Sequence, residues 1–157
     1  MEFIHTRLDE AVINVQCEKV IYVPTSKTEV MAMLIHKITF DLTSLERVDT
    51  KQTMVIMALS KDSLPSAFRY GGNPRIIAGY GAALDCGMIE GTLTEFQQFQ
   101  EYGAQVQYFD PPILVAQDQL YLQLKTYEQL SLTYGLCVIG YTLEKVSREA
   151  FIAALVS

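Results

Sequence analysis

Two stretches of this chain are apolar on both strand parities, and that restricts the fold more than any other feature. Residues 29–42 read EVMAMLIHKITFDL and residues 54–59 read MVIMAL. In an extended chain successive side chains point to opposite faces, so strict alternation marks a half-buried strand. In the first stretch Met31, Met33 and Ile35 alternate with Ala32, Leu34, Ile38 and Phe40, and β-branched residues recur throughout. Such strands lie between two layers or under another subunit.

More strand patterns surround them. Residues 11–23 (AVINVQCEKVIYV) place Ile13, Val15 and Cys17 on one parity and stop at Pro24. Residues 105–109 alternate until Asp110-Pro111-Pro112 interrupts them, and residues 113–116 suit a short edge strand. Residues 119–125 put Leu120, Leu122 and Leu124 inward and Tyr121, Gln123 and Lys125 outward. A turn at 126–129 leads into a long run, 130–146, broken by Gly135 and Gly140, so these two strands read as a β-hairpin.

Between residues 61 and 103 the periodicity fades. Gly71, Gly72, Gly79, Gly81, Gly87 and Gly91 fall there, with Pro65 and Pro74, which predicts loops carrying short strands at 75–79 and 88–93. Residues 94–102 are expected as a short helix capped by Thr94, because Phe96, Phe99 and Tyr102 fall three apart. At the far end the period changes. Ser147 suits an N-cap, with Glu149 in the first turn and Ala150, Phe151, Ile152, Leu155 and Val156 after it. That helix is too short to stand alone and is expected to pack on the sheet or on a neighbour.

About eight strands with long connections predict a mainly β domain spanning residues 1–157, a sandwich or barrel with the jelly roll as the specific expectation and a short C-terminal α-helix. A chain of 157 residues is near the usual size of one domain and buries enough surface to need no disulfide or metal. An immunoglobulin-like domain is disfavoured, since the chain has no Trp and its cysteines do not fit that spacing.

The net charge of −6 is unevenly placed. Residues 1–75 hold nine bases and nine acids, and residues 125–157 hold three of each. The whole excess lies in residues 76–124, which carry Asp85, Glu90, Glu95, Glu101, Asp110 and Asp118 and no Lys or Arg. Such a surface repels phosphate backbones, so direct nucleic-acid binding is not expected. It reads as a solvated face, or more sharply as a docking face for a basic partner.

Three cysteines, Cys17, Cys86 and Cys137, are odd in number and form no C-x-x-C. Buried free thiols and a reducing site of synthesis are expected. Residues 1–10 have neither the apolar segment nor the charge of a signal peptide, and no apolar run reaches the ~20 residues of a membrane span.

Chemistry-bearing patterns are scarce. His5 and His36 are isolated, which falls short of the clustered histidines a cupin-type metal site needs, and a hydrogen-bonded or surface role suits His36. There is no G-x-S-x-G. The run Gly79-Tyr80-Gly81-Ala82-Ala83-Leu84 opens like a dinucleotide loop but ends in Leu outside any βαβ unit. Glu90, Glu95 and Glu101 could pair as catalytic carboxylates, yet their spacing does not distinguish that from a charged surface. Tyr70, Tyr80, Tyr108, Tyr121 and Tyr127 could stack on sugars, or equally serve as cross-strand pairs and interface anchors. No catalytic, cofactor-binding or metal-ligating residue is assigned, and neither enzymatic activity nor a cofactor is expected.

Two segments carry a family resemblance. EVMAMLIHKITFDL followed by MVIMALS resembles an early strand pair of small viral coat proteins. FDPPILVAQDQLYLQL and LTYGLCVIGYTLEKVSREAFIAAL are similar to the closing strands and terminal helix of such proteins. The resemblance implies a single-jelly-roll capsid or capsid-decoration protein of a bacterial or archaeal virus. Such a protein is made in the host cytoplasm, resides in the virion, and binds copies of itself and other virion proteins. Many coat proteins that package RNA carry a basic N-terminal arm, whereas residues 1–10 hold Arg7 as their one Lys or Arg. That departure fits a shell over an internal membrane, a pre-assembled shell or a decoration layer. The alternative class is a non-catalytic β-sandwich module that binds a glycan or a protein.

Overall fold

The computed structural model describes residues 1–42, 45–48, 50–63, 74–88 and 95–157. Among them run nine strands and one helix. In chain order these are β1 (Glu2–Asp9), β2 (Cys17–Tyr22), β3 (Met31–Leu42), β4 (Lys51–Ser60), β5 (Ile76–Met88), β6 (Glu95–Gly103), β7 (Val106–Val115), β8 (Gln119–Tyr127), β9 (Tyr134–Lys145) and α1 (Arg148–Val156). The strands form two antiparallel sheets, one ordered β1-β9-β3-β7 and the other β2-β8-β4-β5-β6. Their inner faces share one core, in which Met33, Ile35, Ile38, Phe40 and Ile139 from the first sheet meet Val55, Met57, Leu59, Leu120, Leu122 and Leu124 from the second. The arrangement is sandwich-like.

The double-faced apolar run in β3 has two causes. One is a bulge. Both ladders of β3 shift register between Ile35 and Lys37, so His36 is an extra residue and the strand's parity reverses there. Ile38 and Phe40 therefore join Met33 and Ile35 in the core, rather than lying on the face of Ala32 and Leu34 as strict alternation predicts. The other cause is α1. Ala32 on the outer face is buried with Ala116, Phe151 and Ala154, so the helix caps the sheet of its own chain. Ser147 caps the helix as expected, its hydroxyl accepting from the Ala150 amide at 3.1 Å.

Several expectations are corrected. The N-terminal residues, where no strand was expected, are strand β1, paired along its length with β9, so His5 lies on an edge strand. Residues 10–16 are a loop, and the strand expected over 11–23 is confined to Cys17–Tyr22. Here the apolar side chains that suggested a strand point outward from loop backbone. Residues 76–88 make one continuous strand, although the glycine content suggested loops. Its glycines serve packing: a Cβ on Gly81 would stand 3.2 Å from the Val55 carbonyl oxygen and from Ile56 Cγ1. The expected helix over 94–102 is strand β6 from Glu95 onward, because the free edge of β5 offers it a full ladder of backbone hydrogen bonds. Thr94 and residues 89–93 lie outside the described residues. Finally, β8 and β9 are not a hairpin. Loop 128–133 carries the chain from one sheet to the other, where β9 inserts between β1 and β3.

Candidate functional site

The residues considered for chemistry are dispersed. His5 is exposed on β1, and His36 sits on the bulge with Nε2 2.8 Å from Thr142 Oγ1. Among the described residues no group of three or more His, Cys, Asp or Glu could hold a metal ion. Burial pushes the Cys137 thiol up to about 12. Cys17, half-buried and donating to the Leu124 carbonyl at 3.8 Å, is pushed up to about 11, first by burial and then by Glu10 and Asp9. Neither thiol forms a thiolate readily at neutral pH. Glu101 accepts a 2.7 Å hydrogen bond from Tyr80, whose hydroxyl is held up at about 12 by burial and that carboxylate. Glu90 lies outside the described residues. Residues 79–84 are part of strand β5, and the next element among the described residues is strand β6. Tyr22 and Tyr108 are the most exposed tyrosines described, but they sit on different sheets and share no platform. Tyr70 lies outside the described residues.

A built feature emerges at one end of the sandwich, where loop 10–16 meets loop 128–133. Asn14 holds them together. It adopts a left-handed backbone, φ 61°, which asparagine tolerates better than most residues. Its Nδ2 donates to the Gln129 carbonyl at 3.0 Å, and its Oδ1 accepts from the Gln129 amide at 3.0 Å. The Asn14 amide donates to Thr126 Oγ1 at 3.2 Å, and the Glu10 amide to the Thr133 carbonyl at 2.8 Å. Buried Glu10 accepts from the Thr126 hydroxyl, and Lys125 donates to the Asn14 carbonyl. The segment joining β3 to β4 completes the frame. Glu46 accepts from the Leu130 amide at 2.5 Å, the Ser131 amide at 3.1 Å and the Ser131 hydroxyl. Those donors, the Ser131 hydroxyl first, hold the Glu46 carboxyl below its ordinary value.

This polar frame displays apolar side chains. Val12, Ile13, Val15, Leu130 and Leu132 are exposed on the two clamped loops, between 38% and 68% of their full surface. Ordered loops that hold aliphatics in water are unusual on a monomer. The acids and bases beside them are engaged: Lys51 pairs with Glu128 at 2.9 Å, and Arg7 pairs with Asp9 at 2.8 Å while lying 4.0 Å from the Tyr134 ring centre. Sequence reasoning took residues 11–15 as strand and so missed this end. The one signal was Asn14, a polar interruption of an apolar run.

Two further features lie elsewhere. A cleft of about 420 Å³ opens between the β2–β3 connection and α1, floored by Val30, Phe151, Ile152 and Leu155 and rimmed by Lys27 and Arg148. On the outer face of the β2-β8-β4-β5-β6 sheet, Met54 and Ile56 lie half-buried beside Tyr127. No helix among the described residues is long and apolar enough to cross a membrane. In comparisons with known proteins, the chain matches no family model, no curated protein and no solved structure.

Proposed function

We propose that this chain is a jelly-roll virion structural protein, a capsid or capsid-decoration subunit that assembles with copies of itself. The observation that carries the reading is the nesting of the strand pairs. Folding the chain back on itself at the β4–β5 connection matches β4 with β5, β3 with β7, β2 with β8 and β1 with β9, each an antiparallel ladder. A long two-stranded ribbon rolled into two sheets has this order, and β6 adds one strand beyond β5. The sequence resemblance to small viral coat proteins points the same way, as do the aliphatic side chains held out at the loop end.

Assembly through protein contacts suits the chain's chemistry. Its net charge is −6, and residues 76–124 hold acids without bases, so the genome is not its natural ligand. Other virion proteins are the expected further partners, with contact to an internal virion membrane where one exists. The second class, a glycan-binding module, is less well supported because Tyr22 and Tyr108 do not converge.

Light scattering and negative-stain electron microscopy of the purified protein, over a range of salt and pH, test the reading. Discrete oligomers or curved sheets are expected. A strict monomer at millimolar concentration under every condition would refute it.

A further inference from the structure

We infer that the sandwich end formed by loops 10–16 and 128–133 is a homotypic contact, where the occupant is the same end of a second copy of this chain. The inference rests on the self-assembly reading and names its interface.

The size of the patch suits a second copy. Five aliphatic side chains at these exposures present on the order of 400 Å² of apolar surface, the size of the largest apolar patch on a typical monomer, which is often functional. A standard interface takes about 800 Å² from each partner, a little over half of it apolar. The patch matches the apolar centre of one such half, and the surrounding loop backbone and polar side chains match its rim.

The two loops are also preorganised. Binding surfaces lose affinity to the entropy of ordering loops. Here the ordering is already done: Asn14 bonds Gln129 in both directions, and Glu46 takes two amides and a hydroxyl of the opposite loop. Nothing about solubility calls for such a clamp around Leu130 and Leu132.

Charge favours protein over lipid as the occupant. Membrane-binding tips join aliphatics to free cations that meet anionic headgroups. At this end Arg7 is held by Asp9, Lys51 by Glu128 and Lys125 by the Asn14 carbonyl, while Glu46 adds negative charge. An apolar patch framed by cations that already have partners needs no opposite-charged partner, which suits an isologous contact between identical ends.

Sedimentation velocity of the wild type, Leu130→Ser/Leu132→Ser and Val12→Ser/Val15→Ser provides the test, with Tyr22→Ser as an exposed control on another part of the surface. Both loop variants are expected to weaken self-association about 100-fold or more while keeping the wild-type melting temperature, and the control is expected to leave it unchanged. A bismaleimide cross-linker should give covalent dimers of Leu132→Cys and none of Tyr22→Cys. If the wild type associates and the loop variants associate equally, the contact lies elsewhere and only this inference falls. A wild type that never associates overturns the assembly reading with it. Flotation of monomeric wild type with phosphatidylcholine vesicles, lost in the loop variants, would make the occupant a lipid surface and overturn the homotypic contact.

Discussion

Gly135 of β9 faces Met57 of β4 across the sandwich: a Cβ added to Gly135 would stand 2.2 Å from Met57 Cε and 3.2 Å from its sulfur. Met57 is fully buried and Gly135 is buried, so the thioether has little room to retreat. Gly135→Ala is expected to destabilise the protein by about 1–3 kcal/mol through overpacking. Shortening the opposing chain in Gly135→Ala/Met57→Val should recover part of that loss, so the two substitutions couple with a sign opposite to simple addition. Urea unfolding of the double-mutant cycle checks this, and strict additivity would show that the pair does not touch in solution.

Gln123 is outward on β8 yet wholly buried, which strand alternation alone does not foresee. Its Nε2 donates to Glu18 Oε2 and to Ser60 Oγ, both at 2.9 Å, and Ser63 donates to the other Glu18 oxygen at 2.6 Å. Gln123→Leu keeps the volume and removes a donor to a carboxylate, at an expected cost of about 1–3 kcal/mol. If Gln123→Leu unfolds at the wild-type urea midpoint, the network is not holding the sheet face.

Glu46 makes the loop end sensitive to acid. Its carboxyl is lowered from the ordinary 4.5 by the Ser131 hydroxyl and the Leu130 and Ser131 amides. A depressed carboxyl adds stability that is fully present above its unfolded value and is lost as pH falls through the folded one. Below about pH 4.5, amide exchange at Leu130 and Ser131 should accelerate beyond the intrinsic trend. Glu46→Gln should show faster exchange at pH 7 and no added acid step. Equal protection in both proteins at neutral pH would remove Glu46 from the clamp.

Thr50, exposed beside β4, holds a left-handed backbone with φ 65°. For a β-branched residue that conformation costs about 1–2 kcal/mol, while glycine gives back roughly 0.5–1 kcal/mol in unfolded-state entropy. Thr50→Gly is therefore expected to raise stability by up to about 1 kcal/mol. A lower midpoint would mean that the threonine side chain makes a contact worth more than the strain.

Thiol labelling should be slow in the folded state. With Cys137 held up at about 12 and Cys17 at about 11, maleimide should modify neither appreciably within minutes at pH 7, and all three cysteines on unfolding. Rapid native labelling of Cys137 would mean that β9 opens on that timescale.

Much of the architecture was legible because period-2 patterning is a strong signal wherever one face is buried. β3, β4 and β8 follow from it directly, and the helix follows from the change of period after its Ser147 cap. What escaped had specific causes. The bulge at His36 reverses parity within a single apolar run, and only the paired strand reveals it. β5 was hidden because Gly79, Gly81 and Gly87 look like turn residues, and β6 because Phe96, Phe99 and Tyr102 fall at helical spacing. At Gly81 the backbone lies so close to β4 that no side chain fits easily. β1 escaped because its apolar content is modest and its stability comes from β9, more than a hundred residues away. The loop end was misread for the opposite reason: Ile13 and Val15 carry strand-like side chains on a backbone that Asn14 turns out of any ladder.

The position of β9 between β1 and β3 also dictates when the protein can fold. The Tyr141 hydroxyl reaches Glu2 at 2.8 Å across a sequence separation of 139 residues, so one sheet cannot close until its last strand has been synthesised. At ribosomal speeds that is a delay of roughly ten seconds, during which β1 and β3 have no central partner and their edges are open. Slow, late folding of this kind suits a chain kept dilute or chaperoned until β9 arrives, and a chain truncated before Tyr134 should accumulate as aggregate instead of as a smaller native domain.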